Sequence, residues 1–116
     1  MNNYKELKVW QKAIDLAEMI YQITGNYPRE EKFGLISQLR RAAISVASNI
    51  AEGAGRNTDG EFRQMLGIAY GSICEVETQL ILSDRMAIID KSEFEKLSNE
   101  IATIQKMLYA LIKKLS

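Results

Sequence analysis

Apolar residues recur every three or four positions along almost the whole of this 116-residue chain. That is the period of a helix with one face buried, and no segment shows the strict alternation of a half-buried strand. Turn-forming residues interrupt the pattern at three places: Gly25-Asn26-Tyr27-Pro28, Gly53 to Gly60, and Asp84 to Ser92. The spacing therefore predicts four helices, over about 3–24, 29–54, 59–84 and 92–115. Three of these starts carry a capping residue with an acid three positions later: Asn3 with Glu6, Thr58 with Glu61, and Ser92 with Glu95. The fold class is all-α, and the length corresponds to a single domain over residues 1–116.

The faces of the helices differ in width. The fourth is simplest, with Phe94, Leu97, Ile101, Ile104, Leu108, Leu111 and Leu115 on one side and Lys96, Lys106, Lys113 and Lys114 on the other. The first carries two adjacent apolar stripes, Leu7, Trp10, Ile14, Ala17 and Tyr21 beside Val9, Ala13, Leu16, Ile20 and Ile23. A four-helix core needs only one stripe somewhat wider than 100° per helix. The second stripe either packs against a neighbour within the bundle or forms a subunit interface, and Val9, Leu16, Ile20 and Ile23 are the candidate oligomer face.

The second helix has a core stripe of Ile36, Leu39, Ala43, Val46 and Ile50. Its far side carries Gln38, Arg41, Ser45, Asn49, Glu52 and Arg56. Ser and Asn compete for backbone hydrogen bonds inside a helix, so their use there points to fixed partners. With Glu75 of the third helix, these residues are the candidate polar network or interface. The third helix sets Gln64, Gly67, Gly71, Glu75 and Thr78 opposite its core stripe. A glycine within a helix costs about 1 kcal/mol relative to alanine, which points to close helix approach or a partner as compensation.

Composition narrows the chemistry. There is no His and one Cys, Cys74, so no Ser-His-Asp triad, Cys-His dyad or common zinc site can be assembled. Glu52-Gly53-Ala54-Gly55-Arg56 resembles a phosphate loop only superficially, because it follows no strand and lacks Gly-Lys-Ser/Thr. It reads as a helix end with a Glu52–Arg56 ion pair. We therefore expect no catalytic, cofactor-binding or metal-binding residue. The lone thiol and the absence of both a signal peptide and a long apolar run fit a cytoplasmic protein that does not enter a membrane.

Fifteen basic residues balance fifteen acidic ones. Residues 1–27 carry three of each sign, 28–57 five basic and three acidic, 58–89 two and five, and 90–116 five and four. No dense cationic block is present to hold a polyanion, and nucleic-acid binding by the protein alone is expected to be weak.

Three runs carry a family resemblance: Leu7 to Ala13 (LKVWQKA), Tyr27 to Ala42 (YPREEKFGLISQLRRA), and Ser45 to Arg56 (SVASNIAEGAGR). Glu61-Phe62, Ala69 to Ser72 and Glu75 to Leu80 continue it. With these motifs the chain resembles the four-helix-bundle family encoded in intervening sequences of some bacterial 23S ribosomal RNA genes, often labelled ribosomal. The resemblance implies an antiparallel up-down-up-down bundle, a ring of five identical chains, and no enzymatic activity. A more distant relative is the basic accessory protein of diversity-generating retroelements, which partners a reverse transcriptase; this chain differs in being neutral. The expected function is a homo-oligomeric scaffold or adaptor with an unknown protein partner. The alternative is an accessory factor for nucleic acid or ribonucleoprotein.

Overall fold

The computed structural model describes residues 3–116. Four helices follow one another: α1 (Lys8–Thr24), α2 (Ser37–Ala54), α3 (Asp59–Arg85) and α4 (Lys91–Lys114). Each packs on two others in the cyclic order α1, α2, α3, α4, with α2 and α3 the most extensively paired. The result is a four-helix bundle measuring 43 × 23 × 20 Å. Its core is a single aliphatic cluster in which Leu16, Ile20, Leu39, Ile50, Leu66, Ile73, Leu97 and Ile104 are fully enclosed. Alanines 43 and 69 on the facing helices are also fully enclosed, and their small side chains favour the close approach of α2 to α3.

Two helix starts depart from the expected boundaries. Asn3 does cap, accepting from the Lys5 N–H at 3.2 Å, but what it caps is a short 3-10 turn, Tyr4–Glu6. Leu7 is then extended, packs against the core, and α1 begins after it. The Gln11 side-chain amide donates to the Lys5 carbonyl at 2.9 Å, and Trp10 meets Tyr4 edge-on with ring centroids 5.2 Å apart. The segment expected to open the second helix is a 3-10 turn, Arg29–Glu31, and a wide π-type turn, Lys32–Ile36, kinked at Gly34. There the Glu31 carboxylate accepts the Leu35 N–H at 3.2 Å, and a Cβ on Gly34 would sit 2.9 Å from that same oxygen.

The other junctions follow local chemistry. Thr58 caps α3 by accepting the Glu61 N–H at 3.1 Å, as its sequence pattern predicts. For α4 the cap position belongs to Asp90 and not to Ser92, and no side chain closes it. At its far end, Arg63 from α3 donates to the Leu115 carbonyl at 2.8 Å, placing a cation where the helix dipole is negative. α3 ends with the Ile88 N–H donating back to the Ser83 carbonyl at 2.9 Å, with Ala87 in the left-handed region at φ 57°.

Candidate interaction face

The seven polar residues singled out on the second and third helices do not form one network. Ser45, Asn49 and the unforeseen Ser72 make a cluster bridging α2 and α3. The Ser45 and Ser72 hydroxyls are 2.9 Å apart, and the Asn49 amide donates to the Ser45 carbonyl at 2.8 Å and to its hydroxyl at 2.9 Å. Glu52 and Arg56 form the expected ion pair at 2.9 Å, on the surface, with Glu61 3.9 Å from the same guanidinium. Gln38, Arg41 and Glu75 are exposed, and their side chains make no hydrogen bond or ion pair among the described residues. The mid-helix Ser and Asn thus have fixed partners, whereas the charges around them are solvated.

Arg40, not its neighbour Arg41, is the anchored arginine. Its Nε donates to the Thr24 hydroxyl at 2.9 Å, an Nη donates to the Tyr21 carbonyl at 3.2 Å, and its guanidinium lies 4.4 Å from the centre of the Tyr21 ring. The two arginines differ by one residue, or about 100° around α2. That rotation turns Arg40 toward α1 and leaves Arg41 in solvent. The signal lay in the phase relative to Leu39, Ala43 and Ala47, which are buried.

The doubled stripe of the first helix is present, but its two halves are reversed from the expected roles. Val9, Leu16 and Ile20 are buried in the bundle core, and Ile23 is half-buried against it. They are not an oligomer face in this fold. The stripe left partly uncovered is Trp10, Ile14, Ala17 and Tyr21, on the α2 side. Periodicity alone assigns two stripes of similar hydrophobicity no order of burial; the phase of α2 and α4 around α1 decides it.

A shallow depression of about 490 Å³ lies on this side, lined by Ile14, Ala17, Glu18, Tyr21, Gln22 and Ile44. Tyr21 and Ile44 also line a second depression with Phe33, Ile36 and Arg41, so the apolar surface continues from α1 across α2 to the π-type turn. Phe33 is 87% exposed and Ile44 46% exposed. Single exposed apolar residues are ordinary on a protein surface; here Tyr21, Phe33 and Ile44 are brought side by side around the two depressions.

The outer face of α3 is a second unpartnered surface, on which Gln64, Ile68, Gly71, Glu75, Thr78 and Leu82 are all exposed. A Cβ at Gly67 or Gly71 would meet nothing within 4 Å. Close helix packing within the chain therefore does not account for these glycines. The glycine that does need its missing side chain is Gly53, where a Cβ would lie 2.8 Å from Met65 Cβ and 3.0 Å from Phe62 Cδ1. Read from sequence as a helix terminator, Gly53 lies inside α2 and lets α3 cross close to it.

The family model for the 23S rRNA-intervening sequence protein matches residues 5–110. The chain belongs to that family. A solved structure of a protein of unknown function, from the S23 ribosomal protein family of Bacteroides thetaiotaomicron VPI-5482, is 28% identical to this 23S rRNA-intervening sequence protein. The two superpose with a TM-score of 0.82, covering 90% of this chain and 98% of that one. No curated protein matches the chain. Among the described residues of this family member no helix is long and apolar enough to cross a membrane.

Proposed function

We propose that this protein is a non-enzymatic, cytoplasmic, homo-oligomeric scaffold or adaptor, assembled as a ring of five chains and offering its outer surface to a protein partner. The observation that carries the reading is the apolar surface running from Ile14 and Tyr21 over Ile44 to Phe33. Covering such a surface releases ordered water at roughly 25 cal/mol per Å² of apolar area, a gain that a soluble monomer would forgo. The absence of His and the single Cys support the non-enzymatic part of the reading, since Ser-His-Asp and Cys-His nucleophilic catalysis and the common zinc sites lack their residues.

A second reading, an accessory factor for ribonucleoprotein, is favoured by the ribosomal label of the solved relative and the ribosomal RNA in the family's description. Net neutrality weighs against it, because phosphate binding draws its free energy from clustered cations. Nuclease treatment followed by size exclusion separates the two. A scaffold keeps its assembled size after nuclease, and binds ribosomal RNA fragments only weakly in gel shifts at about 0.15 M salt, where charges are screened over about 8 Å. Collapse of the assembly on nuclease treatment, or nanomolar binding that survives this salt, contradicts the scaffold and supports the ribonucleoprotein reading.

A further inference from the structure

We propose that the depression between the end of α1 and the entry to α2 binds a small phosphorylated molecule carrying two adjacent phosphoryl groups. The proposal goes beyond the scaffold reading and does not depend on it. The depression measures about 400 Å³ and is lined by Arg29, Lys32 and Arg40, with Thr24, Tyr27 and Ile36 among its walls and no carboxylate. Its size falls within the range of small-molecule sites, about 300–1,000 Å³. No motif marks it in the sequence, because its three cations come from a 3-10 turn, a π-type turn and a helix that only the fold brings together.

Arg40 is the built part of the site. The Thr24 hydroxyl that accepts its Nε is buried, at 1% exposure, and is itself fixed by donating to the Ile20 carbonyl at 2.6 Å. With the Tyr21 carbonyl and ring also holding it, the guanidinium is positioned before any ligand arrives, and its remaining N–H groups make no hydrogen bond among the described residues. Arg29 and Lys32 are exposed and form no ion pair among the described residues. The adjoining depression shares Lys32 and Arg40, adds Arg41, and again has no carboxylate in its lining. The nearby acids are engaged or set apart: Glu31 turns back to the Leu35 N–H, Glu30 lines neither depression, and Glu18 lines the next one along α1. Cations gathered without acids repel one another and focus a positive field on the depression, which an anion relieves. A fixed guanidinium fork with two further point charges suits the spread oxygens of a diphosphate better than a lone carboxylate. Three cations suffice for one such anion, whereas a nucleic-acid strand needs a longer cationic track, which this neutral chain lacks.

Isothermal titration of the nuclease-treated protein with inorganic pyrophosphate at about 0.15 M salt tests this. Binding should saturate at one pyrophosphate per chain with a Kd below about 1 mM, and should be roughly tenfold tighter than binding of sulfate at matched ionic strength. Arg29→Gln and Lys32→Gln remove exposed charges and should each weaken binding by about fivefold or more. Lys106→Gln, an equal loss of charge on the exposed side of α4, should leave it unchanged. Arg40→Lys keeps the charge but loses the fork, and should also weaken binding, with a thermal melt confirming the fold; if that variant unfolds, the two exposed variants carry the test. A Kd above about 1 mM, equal affinity for sulfate, or a loss in Lys106→Gln matching that in Lys32→Gln overturns the site. An RNA oligonucleotide with a 5′-hydroxyl end should not displace pyrophosphate; displacement at lower concentration than unlabelled pyrophosphate itself assigns the cations to nucleic acid and overturns the small-molecule proposal.

Discussion

At Tyr27 burial and hydrogen bonding conflict. The residue is only 7% exposed, and its hydroxyl has no hydrogen-bond partner with acceptable geometry. Burial pushes its pKa above the ordinary value of 10.0, while the nearby Ser83 hydroxyl pulls weakly the other way. A raised folded pKa means that the neutral phenol's contribution is intact below pH 10 and is lost as pH rises through the folded value. Tyr27→Phe removes an unpartnered polar group. It should leave stability unchanged or raise it by up to about 1 kcal/mol at pH 7, and reduce the loss of stability above pH 10. Urea melts of both proteins across pH 7 to about 11 give the comparison. Ala87 is a second case. Held at φ 57°, it adopts a conformation that costs an L residue about 1 kcal/mol and costs glycine almost nothing. Ala87→Gly should raise the urea midpoint by an amount equivalent to about 1 kcal/mol with no change in slope. Neither tension is written in the sequence, because each depends on what the folded chain places around one side chain.

Among the elements, α2 and α3 carry the polar chemistry, and its two halves should respond differently to truncation. Asn49 is half-buried and donates twice to Ser45, which in turn meets Ser72 across the helix interface. Asn49→Ala should cost about 0.5–1 kcal/mol even though alanine is the better helix former. Glu52 makes only an exposed ion pair with Arg56, and Glu52→Ala should change stability by less than about 0.5 kcal/mol. Chemical denaturation of the two variants reads both effects. The number and order of helices were legible because each interior holds a three-four apolar period and each junction gathers Gly, Asn, Pro or Asp. The entry to α2 was not legible. Lys32 to Ile36 continue the apolar period, yet Gly34 kinks the backbone there, and Glu31 turns back to accept the Leu35 N–H. Periodicity also predicted the doubled stripe of α1 and yet misassigned its halves, since helix phase is fixed by neighbours and not by the helix itself.

For the whole molecule, the chain completes one aliphatic core and still leaves Tyr21, Phe33 and Ile44 on one side and Ile68 and Leu82 on another in contact with water. The proposed assembly of identical chains would cover apolar surface that the single bundle leaves exposed. The absolute mass of the purified, nuclease-treated protein at micromolar concentration, measured by multi-angle light scattering, tests this most directly. The account predicts a single species close to five times the 13.2 kDa chain mass. A monodisperse species at 13.2 kDa would contradict it.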